Sequence, residues 1–199
     1  MLSSLPGSSV KTISIEGVDH EFSTLSGIKE DVIEIILAFK KLRIKYDNDD
    51  DEVQLIIKEK GPKLVTAQDI QAPSNVDIVN PSLPIATLQK SGELFARLVV
   101  DRGIGYVSVE EREEENRAIG EIAIDSNYAP IDHVDYKVNQ TRVGGTTDYD
   151  ELVIDVTTDG TVEPEAALKQ ASKILAELFN LINELDKAEK ETVDIEIKE

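Results

Sequence analysis

The fold is decided by the stretch Arg142-Val143-Gly144-Gly145-Thr146-Thr147-Asp148-Tyr149-Asp150, then Leu152-Val153-Ile154-Asp155-Val156, then Thr158-Asp159-Gly160-Thr161-Val162-Glu163-Pro164. It predicts a polar turn, a strand and a helix whose first turn tolerates proline. Beyond the proline, apolar residues recur at steps of three and four, which predicts one long amphipathic helix. Its stripe consists of Leu168, Ala171, Leu175, Leu178, Ile182 and Leu185, widened by Ala167, Ile174 and Leu181. This stripe must be covered, either by the protein's own sheet or by the sheet together with a helix of another subunit.

The segments before this stretch predict strands and a single further helix. Alternating residues at 134–138 predict a strand that pairs antiparallel with 151–158. A hairpin is predicted over Val10–Phe22, with its turn at Glu16–Asp19. Apolar residues at 28, 32, 35, 36 and 39 predict a helix that is capped by Thr24 or Ser26.

The middle of the chain is predicted to be strands and loops. Strands at 42–46 and 53–58 flank the acidic run 47–52. A calcium-binding EF-hand loop needs Gly at its sixth position and Glu at its twelfth, but Glu52 and Lys58 occupy these positions, so we interpret the run as a hairpin tip. Four prolines between Gly61 and Leu88 exclude a helix there. Further strands are predicted at 93–100 and 119–124, with a glycine bend after the first.

Composition excludes most catalytic chemistry. The 199 residues contain no Cys, which excludes disulfides, thiolate nucleophiles and iron–sulfur clusters. His20 and His133 are the only imidazoles and lack metal-ligand spacing. No nucleophile elbow, Walker loop or aspartate metal motif occurs. We therefore predict no catalytic site and no cofactor.

The charge of the chain points to a protein partner. With 40 acidic and 21 basic residues, the formal net charge is -19, so direct nucleic-acid binding is not expected. The acidity favours a partner with basic surfaces, or serves solubility alone. Apolar runs are too short to span a bilayer, and Met1-Leu2-Ser3-Ser4 does not begin a signal peptide. A soluble, cytoplasmic protein without membrane contact is predicted.

Several motifs lie in one order along the chain and carry a family resemblance. Besides the stretch quoted first, they are Leu2-Ser3-Ser4-Leu5-Pro6-Gly7, Gly17-Val18-Asp19-His20-Glu21-Phe22-Ser23-Thr24, Glu30-Asp31-Val32, Arg102-Gly103-Ile104-Gly105-Tyr106-Val107 and Tyr128-Ala129-Pro130. Together they resemble the amino-terminal domain of the bacterial-type DNA-directed RNA polymerase alpha subunit.

The resemblance implies a fold and a function. It implies an α+β fold, in which a dimerisation lobe (1–6 and 133–187, an antiparallel sheet with the long helix) carries an inserted mostly-β lobe (7–132). After Asp186 the sequence is rich in Lys and Glu with little periodicity, which predicts a charged tail (188–199) that is frayed or serves as a linker. The resemblance also implies a non-catalytic assembly subunit of a nucleotidyltransferase complex, which dimerises and binds the beta and beta-prime subunits. The positions that align with large-subunit contacts are Leu2, Glu34, Lys40, Ile124, Ile131, Arg142 and Asp148. Dimerisation is assigned to the stripe of the long helix.

Other interpretations of these residues stay open. Glu34 and Lys40 also suit a solvated helix face, Ile124 also suits the core, and Arg142 with Asp148 also suits an ion pair within the turn. Family members begin with a strand and helix before the Leu-Ser-Ser motif, whereas this chain begins at Met1-Leu2. We therefore expect a weak homodimer. The alternative is a free-standing alpha-like interaction module, or a fragment that does not assemble into polymerase.

Overall fold

A computed structural model describes residues 1–46, 52–112, 120–143 and 146–196, except the side chains of 142–143, 146–148 and 183–196. The elements in chain order are β1 (Pro6–Ile15), α1 (Val32–Lys40), β2 (Ile44–Tyr46), β3 (Glu52–Lys60), β4 (Lys63–Thr66), a short 3-10 helix (Ala67–Asp69), β5 (Val76–Ile78), β6 (Pro84–Leu88), β7 (Glu93–Ile104), β8 (Tyr106–Val107), β9 (Glu121–Ala123), β10 (Ser126–Asn127), β11 (Ile131–Val143), β12 (Thr146–Thr158) and α2 (Pro164–Glu196).

The main sheet is antiparallel and is centred on β1. Its strand order is β3-β7-β1-β2-β5, and β9 also pairs with β1. β7 pairs along the whole of β1, from Pro6 opposite Ile104 to Ile15 opposite Ala96. The other edge of β1 is shared by β2, at Ser8, and by β9, at Thr12–Ser14. The other strands of the described residues form two-stranded sheets: β4-β6, β8-β10 and β11-β12.

α1 covers the main sheet with one face. It buries Val32, Ile35, Ile36 and Phe39, which recur at the helical spacing, against side chains of the main sheet and of β6. We call this cluster, which includes Ile13, Leu55, Leu98 and Val100 of the sheet, the large core.

A second, smaller cluster lies between α2 and the β11–β12 hairpin. Leu5, Ile131, Ala167 and Ala171 are buried there. Partly buried Met1, Val134, Val156, Val162 and Ile174 pack around them. We call this cluster the small core. Among the described side chains of α2, those that join the small core lie in the first turns and end at Ile174.

The predicted hairpin at Val10–Phe22 is wrong. β1 ends at Ile15, and a turn through Gly17, which has φ of +80°, follows it without a returning strand. β1 finds its partner in β7 instead, about ninety residues away, because both strands alternate buried apolar residues that fill the large core.

The helix α1 begins four residues later than Ile28, the first residue of the predicted pattern. Residues 28–30 run beside β6: Ile28 forms a bridge with Leu88, and the Lys29 N–H donates to the Thr87 carbonyl (3.1 Å). The Glu30 carboxylate accepts the Thr87 N–H (2.6 Å) and hydroxyl (2.7 Å), so it holds a strand rather than starting the helix. Asp31 occupies the N-cap position, without a capping bond from its side chain.

The second predicted hairpin, around 47–52, is also wrong. Strands exist at both places, but β2 pairs with β1 and β5, whereas β3 pairs with β7. The acidic run 47–51 lies outside the described residues. β7 also continues through Gly103 before the bend at Gly105. The Tyr128 ring lies against Gly103, and a Cβ at Gly103 would be 2.6 Å from that ring.

Several other expectations on architecture are confirmed, whereas the division into a dimerisation lobe and an inserted lobe stays a prediction. β11 and β12 pair antiparallel over nearly their full length, α2 begins at Pro164, and the proline-rich middle holds short strands and loops. Antiparallel sheets with two helices make the α+β class that the sequence predicts. The α2 backbone continues to Glu196, through most of the segment that was predicted to fray.

Candidate partner-binding site

α1 exposes large apolar side chains on the face opposite the large core. Ile33 is 42% exposed and Leu37 is 50% exposed, one helical turn apart. Phe22, on the loop that precedes the helix, is 75% exposed. Ile33 and Phe22 line a groove of about 320 Å³ in common. We call Phe22, Ile33 and Leu37 the α1 surface.

Two grooves flank this surface, and Leu37 lines both. One has a volume of about 540 Å³ and lies between α1 and β6; Glu34 and Lys41 form its charged rim, and Leu64 and Leu83 are among its apolar residues. The other contains Phe22, Ile33, Lys40 and the segment Ile122–Asp125. An exposed apolar ridge between two grooves is the shape that a partner side chain can pack against.

Asp125 fixes the polar end of the second groove. It accepts hydrogen bonds from the Lys40 ammonium (2.9 Å) and the Val109 N–H (3.0 Å), and it also hydrogen-bonds the Tyr106 hydroxyl. These bonds, led by the one from Lys40, lower the pKa of the Asp125 carboxyl. α1 is thereby tied to the β8–β10 region, and Lys40 is held in one place at the rim of the groove.

We predict that Lys40→Met lowers the free energy of unfolding by about 0.2–1 kcal/mol at pH 7, since the ion pair is partly exposed. Because the Asp125 pKa is lowered in the folded state, this stability is present above the unfolded pKa of about 4 and is lost as the pH falls through the folded pKa. Urea unfolding between pH 7 and pH 2 measures the effect. Lys41→Met removes the same charge one residue away but keeps the Lys40–Asp125 pair, so it should lose this stability at acid pH as the unmodified protein does, whereas Lys40→Met should not. An equal profile for both variants would contradict the ion pair.

A polar network supports the β9–β10 side of the site. The Arg112 guanidinium donates to the carbonyls of Lys11 (3.1 Å) and Ile124 (3.3 Å), and also to the hydroxyls of Ser126 and Tyr128. Tyr128 in turn donates to Asp101 (2.7 Å). Burial raises the pKa of Asp101, although the Tyr128 hydrogen bond and the Arg112 charge oppose it.

The structure brings some of the predicted contact residues together. Glu34 is exposed on α1, and Lys40 lies in the same groove as Ile124 and Asp125, so positions from the two predicted contact regions meet there. The Ile124 side chain itself is buried in the large core, and that of Ile131 in the small core. Leu2 lies apart, exposed in the turn before β1. The side chains of Arg142 and Asp148 lie outside the described residues.

The predicted stripe of α2 divides into a packed part and an exposed part. Ala171 is buried in the small core and Leu168 is half-buried. Leu175, Leu178 and Ile182 are exposed, and the side chain of Leu185 lies outside the described residues. The hairpin likewise exposes large apolar residues: Tyr136, Val138, Tyr149, Leu152 and Val153.

Sequence reasoning missed the α1 surface, Asp125 and the Arg112 network. The sequence did contain an indication of Ile33 and Leu37: they are apolar, four residues apart, and on the side of the helix opposite the predicted buried face. It contained no such indication of Asp125 and Arg112, since their partners are distant in sequence. Phe179 and Leu181 also add exposed apolar area to α2.

Neither helix, over the part of the chain that the structure describes, is long and apolar enough to cross a membrane. Over the same residues, no group of three or more carboxylate or imidazole side chains is arranged to hold a metal ion.

Comparisons with known proteins agree with one another. A family model described as the RNA polymerase Rpb3/RpoA insert domain matches residues 13–129. The chain is 47% identical over 195 residues to the DNA-directed RNA polymerase subunit alpha of Frankia casuarinae, which covers 98% of this chain and 55% of the relative. It is 43% identical over 201 residues to the protein of the same name from Macrococcus caseolyticus, covering 100% of this chain and 63% of the relative. For the one from Acidothermus cellulolyticus the identity is 46%, over 98% of this chain and 57% of the relative. The chain thus spans less than two thirds of the length of these relatives.

Proposed function

The chain belongs to the bacterial DNA-directed RNA polymerase alpha-subunit family, and on that premise we propose that it is a non-catalytic assembly subunit that binds the beta and beta-prime subunits and self-associates. Membership of the family follows from the similarity to its members. We propose the binding of the large subunits and the self-association, and the exposed surfaces described above support both.

The observation that carries the proposal is the α1 surface. Three large apolar side chains are exposed beside a groove whose polar end is fixed by the Lys40–Asp125 ion pair. The opposite face of α1 is already filled by the large core, so an internal packing role does not account for the exposed one. Aromatic and aliphatic anchors next to a charged rim are typical of protein interfaces.

The charge of the chain favours the same kind of partner. A net charge of -19 opposes contact with a nucleic-acid backbone and favours association with a protein that presents basic surface. Glu21 and Glu34, beside the two grooves, extend this acidity to the proposed site.

The test is co-purification with the large subunits of the polymerase from the same source. The tagged chain is expressed with untagged beta and, separately, with untagged beta-prime, and binding is measured by recovery on the tag. We expect recovery of at least one large subunit. A chain that folds but recovers neither would be a free-standing module with another partner, and the proposal would be wrong.

Self-association is proposed from the distal part of α2. Leu178 and Ile182 lie beyond the turns that the small core covers, and with Phe179 they form an exposed apolar patch on the helix. Burying such area is worth about 25 cal/mol per Å², which favours pairing with a second copy.

We predict that Leu178→Glu/Ile182→Glu shifts the dimer to monomer, because charges forced into an apolar seam are costly. The large core should remain folded, since none of the described side chains of α2 belongs to it. Light scattering gives the mass and circular dichroism the folded state. Gln170→Glu/Asn180→Glu, on exposed positions of the same helix, adds the same two negative charges and is the control. A monomer before the change, or unfolding of the whole chain after it, would overturn this proposal.

A further inference from the structure

The two cores of the protein are built from different parts of the chain. The backbone passes from the small core to the large core between Leu5 and Val10, and returns between Ile124 and Ile131. Bodies joined in this way move relative to each other unless a contact between them prevents it. The contacts at their junction therefore decide how rigidly α2 and the hairpin are held against the main sheet.

Arg43 lies at this junction and is anchored on the side of the large core. Its N–H donates to Asn80 Oδ1 (2.9 Å), and its carbonyl accepts the Val79 N–H (2.9 Å). The Asn80 amide also donates to the Lys41 carbonyl (2.8 Å). These bonds fix the backbone from which the Arg43 side chain extends, just before β2.

The guanidinium of Arg43 meets two carboxylates of the other body. Its Nη2 is 3.3 Å from Asp132 Oδ1, at the start of β11, and its Nε is 3.8 Å from Asp159 Oδ2, between β12 and α2. The Asp159 side chain is only 7% exposed, so this carboxylate is shielded from solvent.

Asp159 is itself held in place by the turn that starts α2. Its second oxygen, Oδ1, accepts the N–H (2.9 Å) and the hydroxyl of Thr161, and its own N–H donates to the Pro130 carbonyl (3.1 Å). Two hydrogen bonds to the carboxylate and one from the backbone N–H therefore fix Asp159 on its own side, while its other oxygen faces the Arg43 guanidinium across the junction.

Gly160 brings the same turn against the main sheet. Its φ is +90°, and a Cβ at this position would be 2.9 Å from Val79 Cγ1. Val79 is the neighbour of Asn80, which holds Arg43. The steric contact and the ion pairs therefore act at one place.

We propose that Arg43, Asp132 and Asp159 form a latch that fixes the orientation of α2 and the β11–β12 hairpin relative to α1 and the main sheet. The latch is a property of the fold of this chain, and it holds whether or not the large subunits bind. Its consequence is that the α1 surface and the exposed part of α2 keep a constant relative position.

The absence of Cys makes the latch directly measurable, because introduced thiols are the only ones in the chain. Ser91 lies in an exposed turn of the main-sheet body, and Ser172 is exposed on α2. Spin labels on Ser91→Cys/Ser172→Cys report the distance between the two bodies by pulsed electron paramagnetic resonance. The measurement is made on the monomer in dilute solution, so that only the intramolecular distance contributes.

We expect one narrow distance distribution for the labelled protein and a clearly wider one for Arg43→Gln, which keeps the backbone bonds to Asn80 and Val79. Asp159→Asn keeps an oxygen for Thr161 but removes the charge, and it should widen the distribution as well. Lys41→Gln removes a charge from the same loop and should leave the distribution narrow. If both latch variants stay as narrow as Lys41→Gln, the latch proposal is wrong. Should one variant fail to fold by circular dichroism, the other decides.

Discussion

The variant Ile33→Glu/Leu37→Glu is expected to weaken binding of the large subunits by about two orders of magnitude or more, because hot-spot side chains each contribute about 2 kcal/mol or more. Both residues are roughly half-exposed, so the free protein loses little when they change. When a partner binds, however, the two introduced carboxylates would be buried against the apolar surface of the partner, which is costly. Titration of the tagged chain with beta or beta-prime, whichever it recovers, measures the effect.

The control for this variant must add the same charge elsewhere on the same body. Ser74→Glu/Ser91→Glu does so on exposed turns of the main-sheet region and should bind as the unmodified protein does. In both variants the free energy of unfolding should stay within about 0.5 kcal/mol of the unmodified protein's value, as for ordinary surface substitutions. Binding that survives in a folded Ile33→Glu/Leu37→Glu protein would exclude the α1 surface as the contact and would direct attention to α2 and the hairpin.

The same α1 shows how far sequence reasoning reaches. Its buried face was predicted because apolar residues recur at the helical spacing, and this is a local signal. Its start was misplaced, because Glu30 is engaged by Thr87, 57 residues away. No periodicity within a window of the chain can report such a bond.

Strand pairing shows the same limit. The pairing of β11 with β12 was predicted correctly because the two strands are neighbours in the sequence, β12 beginning three residues after β11 ends. β1, however, is followed by a glycine turn that looked like the tip of a hairpin, yet it pairs with β7, β2 and β9. Long-range pairing depends on which strands share one core, and composition and local patterns do not contain that information.

The candidate site was predictable only in part. Glu34 and Lys40 were predicted as contacts from the family resemblance; both lie on α1, and their contact role stays a prediction. The Asp125 partner of Lys40 and the latch at Arg43 depend on side chains from separate elements that the fold brings together. The sequence shows which residues are apolar, but it does not show that these particular ones are exposed, because their exposure depends on how the neighbouring elements pack.

The variant Phe39→Ala is expected to cost about 3–5 kcal/mol of unfolding free energy, the range for removing a fully buried aromatic side chain. Phe39 has no exposed surface and is the largest fully buried side chain among the described residues. It lies in the last turn of α1, next to Lys40, and it packs in the large core. Its loss leaves a cavity between the helix and the sheet that rigid neighbours cannot fill. Urea unfolding followed by circular dichroism measures the change.

Leu37→Ala is the matched control for Phe39→Ala, because it shortens an apolar side chain on the same helix at a position that is half-exposed. Its cost should be well below that of Phe39→Ala, and alanine favours the helix at both positions. In a binding assay the order should be reversed, so that Leu37→Ala weakens binding more than Phe39→Ala does. Leu37→Ala removes part of the α1 surface from a stable protein, whereas Phe39→Ala leaves that surface intact wherever the protein is folded. If Phe39→Ala cost less than about 1 kcal/mol, α1 would not be packed on the large core, and the α1 surface would lose its structural basis.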